Sequence, residues 1–117
     1  GVPFHRVIPG FVAQGGDPSG TGLGSPGYKC TDEIYPKLKF DGAGVVGMAS
    51  GGPGTSSVGS QFFITYDAQT TLDGNYTIIG KVIEGMDVVE RLTPRDPSQE
   101  AALPPADIIE TITIEEK

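Results

Sequence analysis

The stretch FHRVIPGFVAQGG, residues 4–16, predicts a β-rich fold. It contains two apolar-rich runs of strand length, FHRVI and GFVAQ, in which β-branched and aromatic residues are frequent. The same stretch holds His5, Arg6 and Gln14, and His5 is the only histidine of the chain. The runs indicate the fold class, and the three polar side chains are candidates for a functional site.

Further runs of the same kind follow along the chain. They are GVVGMA (44–49), QFFITY (61–66), YTIIGKV (76–82) and DIIETITI (107–114). The 18 glycines and 10 prolines break the chain between these runs, which favours many short strands over disorder. The pattern predicts an all-β barrel or sandwich.

One segment has helical character. In EGMDVVERLT, Met86, Val89 and Arg91 form a stripe with the apolar residues Val88 and Leu92, and Pro94 ends it. We therefore expect one short α-helix near residues 85–92.

The remaining segments are interpreted as turns and connectors. Asp73-Gly74, in the loop between QFFITY and YTIIGKV, predicts a hairpin that pairs those two runs. Residues 17–40 and 94–107 are rich in turn residues and predict two long surface connectors.

Composition limits the classes of protein. The 117 residues fit one domain, residues 1–117. Fifteen acidic against eight basic residues give a net charge of −7, which argues against nucleic acid as a partner. No apolar run reaches the roughly 18 residues of a membrane helix, so no membrane partner is expected. Cys30, the single cysteine, cannot form an internal disulfide and leaves the compartment undetermined.

Several apparent motifs lack the residues that their chemistry needs. The GxGxxG formed by Gly22, Gly24 and Gly27 follows no strand and contains Pro26 where a helix should open. The glycine-rich segment 51–60 lacks the lysine of a phosphate-binding loop. No serine sits in GxSxG, and one histidine with one cysteine cannot form a structural zinc site. We expect neither a cofactor nor a metal.

The polar residues of the opening stretch each have an ordinary explanation when taken singly. In a strand, Arg6 shares a face with Phe4 and Ile8, yet it could pair with a surface carboxylate. Gln14 could satisfy a loop backbone, and His5 could be a hydrogen-bonded core histidine. Only the wider pattern distinguishes these explanations from a functional one.

Four motifs in order carry that pattern. FHRVIPGFVAQGGD, GVVGMAS, GSQFFIT and LDGNYTIIGKVIEGMDVV together resemble the cyclophilins, particularly bacterial ones, over the span from Gly1 to Ile114. That family consists of peptidyl-prolyl cis-trans isomerases built on an antiparallel β-barrel, which need no nucleophile, metal or cofactor. The resemblance implies an isomerase that assists protein folding by acting on proline-containing peptides and unfolded chains.

The resemblance also implies roles for particular residues. Arg6, Gln14 and Phe63 would be catalytic, with Arg6 directed at the proline nitrogen and Phe63 in the apolar socket for the proline ring. The other residues implied in substrate binding are His5, Phe11, Val12, Ala49, Ser50, Gly51, Gln61, Leu72 and Tyr76.

The chain departs from the family in four places, one of which is a longer loop at residues 50–60. Thr71 stands where many members carry tryptophan, which predicts weak cyclosporin binding because a large apolar contact and an N–H donor are lost. Tyr76 replaces a histidine. The hairpin and helix that normally precede VPFHRV have no counterpart. We favour a fragment or truncated chain whose barrel is incomplete at the N-terminus over a domain in which another segment supplies the missing piece or which closes in a different way.

These departures leave other functions open. The protein could be a proline-peptide binding module without turnover, or an assembly domain of a larger protein in which the pocket is incidental. Catalysis predicts a rate that Arg6→Ala abolishes. A binding module predicts affinity without a rate, and an assembly domain predicts neither.

Overall fold

A computed structural model of the protein describes residues 2–17, 39–49, 61–73, 76–95, 107–109 and 112–113. The strands are β1 (Arg6–Ile8), β2 (Val12–Gly15), β3 (Val45–Met48), β4 (Phe62–Thr65) and β5 (Ile78–Lys81). The helices are a 3-10 turn (Thr70–Leu72) and α1 (Met86–Val89).

The five strands form one sheet in the order β1-β2-β4-β3-β5, and every neighbouring pair is antiparallel. The predicted antiparallel all-β class is therefore confirmed. Of the predicted run at residues 107–114, the described part contributes one antiparallel bridge between Ile108 and Pro3. A second bridge, between Val7 and Arg95, joins β1 to the segment after α1.

The predicted hairpin between the fourth and fifth runs is wrong. Strand β5 pairs with β3, whereas β4 lies between β2 and β3. Both edges of β4 are already hydrogen-bonded, so β5 has to cross to the free edge of β3. Asp73 does not form the turn of a hairpin between β4 and β5. Its carboxylate accepts a hydrogen bond from the backbone N–H of Phe40 at 2.6 Å. Gly74 lies outside the described residues.

Helix α1 is confirmed but is shorter than predicted, spanning Met86–Val89. Met86, Val89 and Leu92 pack against the core. Val88 was predicted to share this stripe, but it is 57% exposed. Neighbouring helical positions differ by about 100° around the axis, so Val88 cannot share the direction of Val89. Among the described residues no helix is long and apolar enough to cross a membrane.

Alternation along the strands separates two faces of the sheet. The helix face carries the cluster of Val7, Ala13 and Ile64, against which α1 packs. The aromatic face carries the cluster of Val12, Phe40, Val45 and Phe63.

Phe4 was predicted to share a face with Arg6 but belongs to the cluster of the helix face. Its ring meets that of Phe62 edge to face, with 6.1 Å between the centroids. Strand β1 begins only at Arg6, so strict alternation does not extend back to Phe4.

Phe40 shows that the first predicted connector does not end at the surface. Its side chain is fully buried and its ring stacks on Phe63, with 5.5 Å between centroids and 27° between planes. A single aromatic residue after a polar segment has no periodicity by which a buried position could be recognised. Residues 18–38 of this connector and 96–106 of the second lie outside the described part of the chain.

Candidate active site

Arg6, Gln14 and Phe63 lie side by side although they are far apart in sequence. In the strand register Arg6 pairs with Gln14, Gln14 with Phe63, and Phe63 with Gly47. Paired residues of neighbouring strands project from the same side of a sheet. The row therefore runs across four strands on the aromatic face and brings a cation, an amide and an aromatic ring together.

A cavity of about 200 Å³ opens beside this row. Its lining residues are Arg6, Phe11, Val12, Gln14, Ala49, Phe63, Leu72 and Tyr76. Pockets for drug-sized ligands are typically about 300–1,000 Å³, so this one suits a single small ring. All eight lining residues were named as site residues on sequence grounds.

The polar part of the site is a hydrogen-bonded chain of three side chains, two of which line the cavity. Arg6 Nη1 donates to Gln14 Oε1 at 3.5 Å, a long hydrogen bond, and Gln14 Nε2 donates to Gln61 Oε1 at 3.0 Å. The Arg6 guanidinium also lies 5.9 Å from the centroid of the Phe11 ring, within cation–π range. No carboxylate of the described residues forms an ion pair with Arg6. Arg6 is thus held by an amide and a ring, which leave its positive charge without a counter-ion in that part of the chain.

The apolar wall is built around the ring of Phe63. Phe40 stacks on it, and Tyr76 meets it edge to face, with 5.7 Å between centroids and 87° between planes. Gly47 lies beneath both Phe40 and Phe63. A Cβ at this position would stand 2.6 Å from Phe63 Cζ and 3.0 Å from two atoms of the Phe40 ring. Phe63 is therefore fixed by neighbours, and glycine at position 47 gives its ring the space that it occupies.

The Leu72 wall is presented by the 3-10 turn. Two hydrogen bonds fasten this turn to Phe40. The Phe40 N–H donates to the Asp73 carboxylate, and the Phe40 carbonyl accepts from the N–H of Gln69 at 2.8 Å. Leu72 thus stands between two residues that are both bound to the backbone of Phe40.

His5 is buried beside the row but does not line the cavity. Its side chain is only 3% exposed, and Nδ1 has no hydrogen-bond partner among the described residues. Burial lowers the pKa of His5; Asp17 opposes this effect, while Arg95 and Arg6 add to it. The imidazole is therefore neutral near pH 7. Its backbone carbonyl accepts a hydrogen bond from Arg95 Nη1 at 2.7 Å.

The other predicted site residues are placed differently. Gln61 reaches the site through its hydrogen bond with Gln14 and does not line the cavity. Ser50 and Gly51 lie outside the described residues. In the described part of the chain, no group of three or more His, Cys, Asp or Glu side chains is placed to bind a metal ion.

Sequence reasoning missed three residues that shape the cavity: Phe40, Gly47 and Asp73. Phe40 and Asp73 act on the cavity through contacts across 33 positions of sequence. The only local signal for Gly47 is a glycine inside an otherwise β-branched run, which is typical of a close approach by another group.

Comparison with known proteins identifies the family. Residues 1–114 match the sequence model described as cyclophilin type peptidyl-prolyl cis-trans isomerase/CLD. The chain belongs to the cyclophilin family. It is 52% identical over 94 residues to a peptidyl-prolyl cis-trans isomerase of Arabidopsis thaliana, covering 78% of this chain and 56% of that protein. It is 49% identical over 118 residues to peptidyl-prolyl cis-trans isomerase A of Mycobacterium tuberculosis, covering 97% and 63%.

Solved cyclophilins share the fold. A crystal structure of a cyclophilin-type isomerase from Cryptosporidium parvum superposes with a TM-score of 0.73 at 44% identity, over 87% of this chain and 67% of that one. A second structure of that enzyme, in the presence of the dipeptide Ala-Pro, gives 0.68 at 43% identity over 81% and 63%. Membership of the cyclophilin family, predicted from four motifs, is confirmed. The chain spans 56% and 63% of the length of the Arabidopsis and Mycobacterium relatives.

Proposed function

We propose that this protein is a peptidyl-prolyl cis-trans isomerase that acts on X-Pro bonds in peptides and unfolded chains and so assists folding. The observation that carries the proposal is the row of Arg6, Gln14 and Phe63, which sets a guanidinium and an aromatic ring in the lining of one cavity of single-ring size. The family supports it, as does the related Cryptosporidium enzyme crystallised in the presence of Ala-Pro.

The chemical problem is amide resonance. The C–N bond of a peptide has partial double-bond character, and its rotation meets a barrier of about 18–20 kcal/mol. When an X-Pro bond twists, its nitrogen regains a lone pair and becomes a hydrogen-bond acceptor. Arg6 would donate to that nitrogen, an interaction that exists in the twisted state and not in the planar one. Only such a difference lowers the barrier.

Gln14 would keep the guanidinium in place while the bond turns. Its Oε1 accepts from Arg6 and its Nε2 donates to Gln61, so the orientation of the amide is set from both ends. Donors that are already oriented need no reorganisation at the moment of reaction. Gln14 would thereby act on the proline nitrogen through Arg6 and would also contact the substrate backbone.

The proline ring would enter the cavity between Phe11, Val12, Phe63 and Leu72. Ala49 and Gln61, together with Ser50 and Gly51, would bind the peptide backbone on either side of that ring. His5 would brace the row from within the core, since it is buried and lines no part of the cavity. No proton transfer is needed in this scheme.

Thr71 and Tyr76 would adjust ligand preference without removing the reaction. Thr71 is exposed beside Leu72, so it offers no large apolar surface there. Cyclosporin should therefore bind weakly, and a titration with low-nanomolar affinity would contradict this. Tyr76 stays part of the cavity wall through its edge-to-face contact with Phe63.

Exchange NMR on a short X-Pro peptide tests the proposal. Catalytic amounts of the protein should accelerate cis-trans exchange, and Arg6→Ala should lower the rate by about 100- to 1,000-fold, as for the loss of one preorganised donor. Arg91→Ala is the matched control, because Arg91 is exposed and its ion-pair partner among the described residues is Asp87, at 3.1 Å. Its rate should equal that of the unmodified protein.

The outcome also separates the competing functions. Peptide-induced shifts without faster exchange would identify a binding module and overturn the proposal. Faster exchange that survives Arg6→Ala would overturn the role of Arg6.

A further inference from the structure

We infer that Phe40 determines the size of the imino-acid ring that the cavity accepts, although it lies behind the cavity wall and does not line it. The inference rests on the proposed function, since it concerns the same site. It assigns a specificity role to a residue that would touch no substrate.

Phe40 limits how far the Phe63 wall can move. The two rings are stacked at 5.5 Å, and Phe40 is fully buried, so its ring fills the space behind Phe63. Gly47 closes the floor beneath both rings, with too little room for even one added carbon. Interiors packed this densely do not yield gradually to a larger ligand.

Phe40 also positions Leu72, another residue that lines the cavity. Its N–H binds the Asp73 carboxylate at 2.6 Å, and its carbonyl binds the N–H of Gln69 at 2.8 Å. Leu72 lies between these two attachment points. One residue therefore positions two lining residues of the cavity, Phe63 through its ring and Leu72 through the backbone hydrogen bonds that flank it.

A smaller side chain at position 40 would separate these two effects. Phe40→Leu keeps the backbone hydrogen bonds but leaves space into which the Phe63 ring can retreat. The socket should then deepen while Leu72 stays in place. Since one extra methylene in a fitted apolar pocket changes selectivity by about 10- to 200-fold, ring size is a sensitive probe of this depth.

The test compares two peptides that differ only in the ring, one with proline and one with its six-membered homologue, pipecolic acid. For each we would measure kcat/KM by exchange NMR and Kd by chemical-shift titration. The unmodified protein should prefer proline by about tenfold or more. Phe40→Leu should reduce this preference severalfold, whatever happens to the absolute rates.

Phe62→Leu is the matched control. Phe62 is the neighbouring aromatic residue on β4, but it packs on the helix face against Phe4. The substitution removes the same atoms from the core without touching the stack. It should lower stability and leave the ring preference unchanged. Phe40→Met, which fills more of the space, serves if Phe40→Leu does not fold, and it should shift the preference in the same direction by less.

An unchanged preference in folded Phe40 variants would overturn the inference, and so would an equal change in Phe62→Leu. A protein that binds both peptides but accelerates neither would overturn the proposed isomerase, while the ratio of Kd values would still decide the role of Phe40. A protein that neither binds nor accelerates would overturn both.

Discussion

The two faces of the sheet are built from the same strands but differ in what lies on them. The helix face is covered, because Met86, Val89 and Leu92 pack over its aliphatic cluster. The aromatic face keeps an open cavity and carries Arg6 and Gln14 in the same row as Phe63.

The difference shows how a binding surface can form on a small sheet without destabilising it. Within the described residues, the aromatic face is held by contacts among the rings of Phe40, Phe63 and Tyr76, and α1 packs on the other face. The wall is therefore firm while the cavity in front of it stays open. This comparison predicts that substitutions on the aromatic face change both stability and function, whereas those on the helix face change stability alone.

Gly47→Val should have the largest effect, because it inserts a branched side chain where even a Cβ would stand 2.6 Å from Phe63. We expect a loss of about 3 kcal/mol in the free energy of unfolding, together with a loss of isomerase rate as Phe63 is displaced. Urea denaturation and exchange NMR measure the two effects. Gly80→Val is the control, since a Cβ at Gly80 would meet nothing within 4 Å. Equal losses of stability and rate in both variants would contradict the prediction that packing against Phe40 and Phe63 makes position 47 more sensitive.

Thr65→Val tests the buried polar group of the aromatic face. The Thr65 hydroxyl accepts from the N–H of Val45 at 3.1 Å and donates to the carbonyl of Gly42 at 2.8 Å. Valine has nearly the same shape but leaves both backbone groups without this partner, which should cost about 2 kcal/mol. Thermal denaturation measures the change. Exposed Thr113→Val should stay within about 0.5 kcal/mol of the unmodified protein, and a similarly small value for Thr65→Val would contradict the prediction.

Tyr66→Phe tests the helix face. The Tyr66 hydroxyl donates to the carbonyl of Val89 at 2.8 Å and so ties α1 to the sheet. Burial, with Glu90 and Asp107 nearby, raises the pKa of Tyr66, so the phenol remains a donor well above neutral pH. Its loss should cost about 1 kcal/mol and speed hydrogen exchange in α1, with the isomerase rate unchanged. A reduced rate would mean that the two faces are coupled.

His5→Gln tests a small effect that depends on pH. The pKa of His5 is lowered in the folded state, chiefly by burial, so the unfolded chain binds a proton more readily than the folded one. The His5 contribution should therefore make the protein less stable as pH falls through the ordinary histidine value of 6.5, and not as pH rises. Urea denaturation at several values between pH 8 and pH 5 gives the free energy of unfolding against pH. This free energy should fall with falling pH in the unmodified protein and should fall less steeply in His5→Gln. Identical slopes would contradict this account.

Local patterns located the five strands and α1 but not the 3-10 turn. Four of the predicted runs contain a strand, GFVAQ covers all of β2 except Gly15, and the apolar spacing around Met86 and Val89 located α1. The error at Asp73-Gly74 has a clear origin. A turn signal reports that the chain changes direction, but pairing depends on which strand edges remain open, and β4 had none.

The residues of the candidate site also fall into those that the sequence identified and those that only the structure revealed. The resemblance to the family is concentrated in short sequence motifs, and it identified every described residue that lines the cavity. The sequence did not identify Phe40, Gly47 and Asp73 as residues that shape the cavity. Each acts through a contact that forms only when segments distant in sequence come together.

The sequence by itself therefore determined the positions of β1 to β5 and of α1, the family, and the described residues that line the cavity, since side-chain periodicity and motifs are local properties. Only the tertiary structure decided the strand order, the placement of Phe4 on the helix face, and the stack of Phe40 on Phe63 over Gly47. The physical reason is that strand pairing and close packing depend on which edges and spaces remain unoccupied. No stretch of chain specifies these alone.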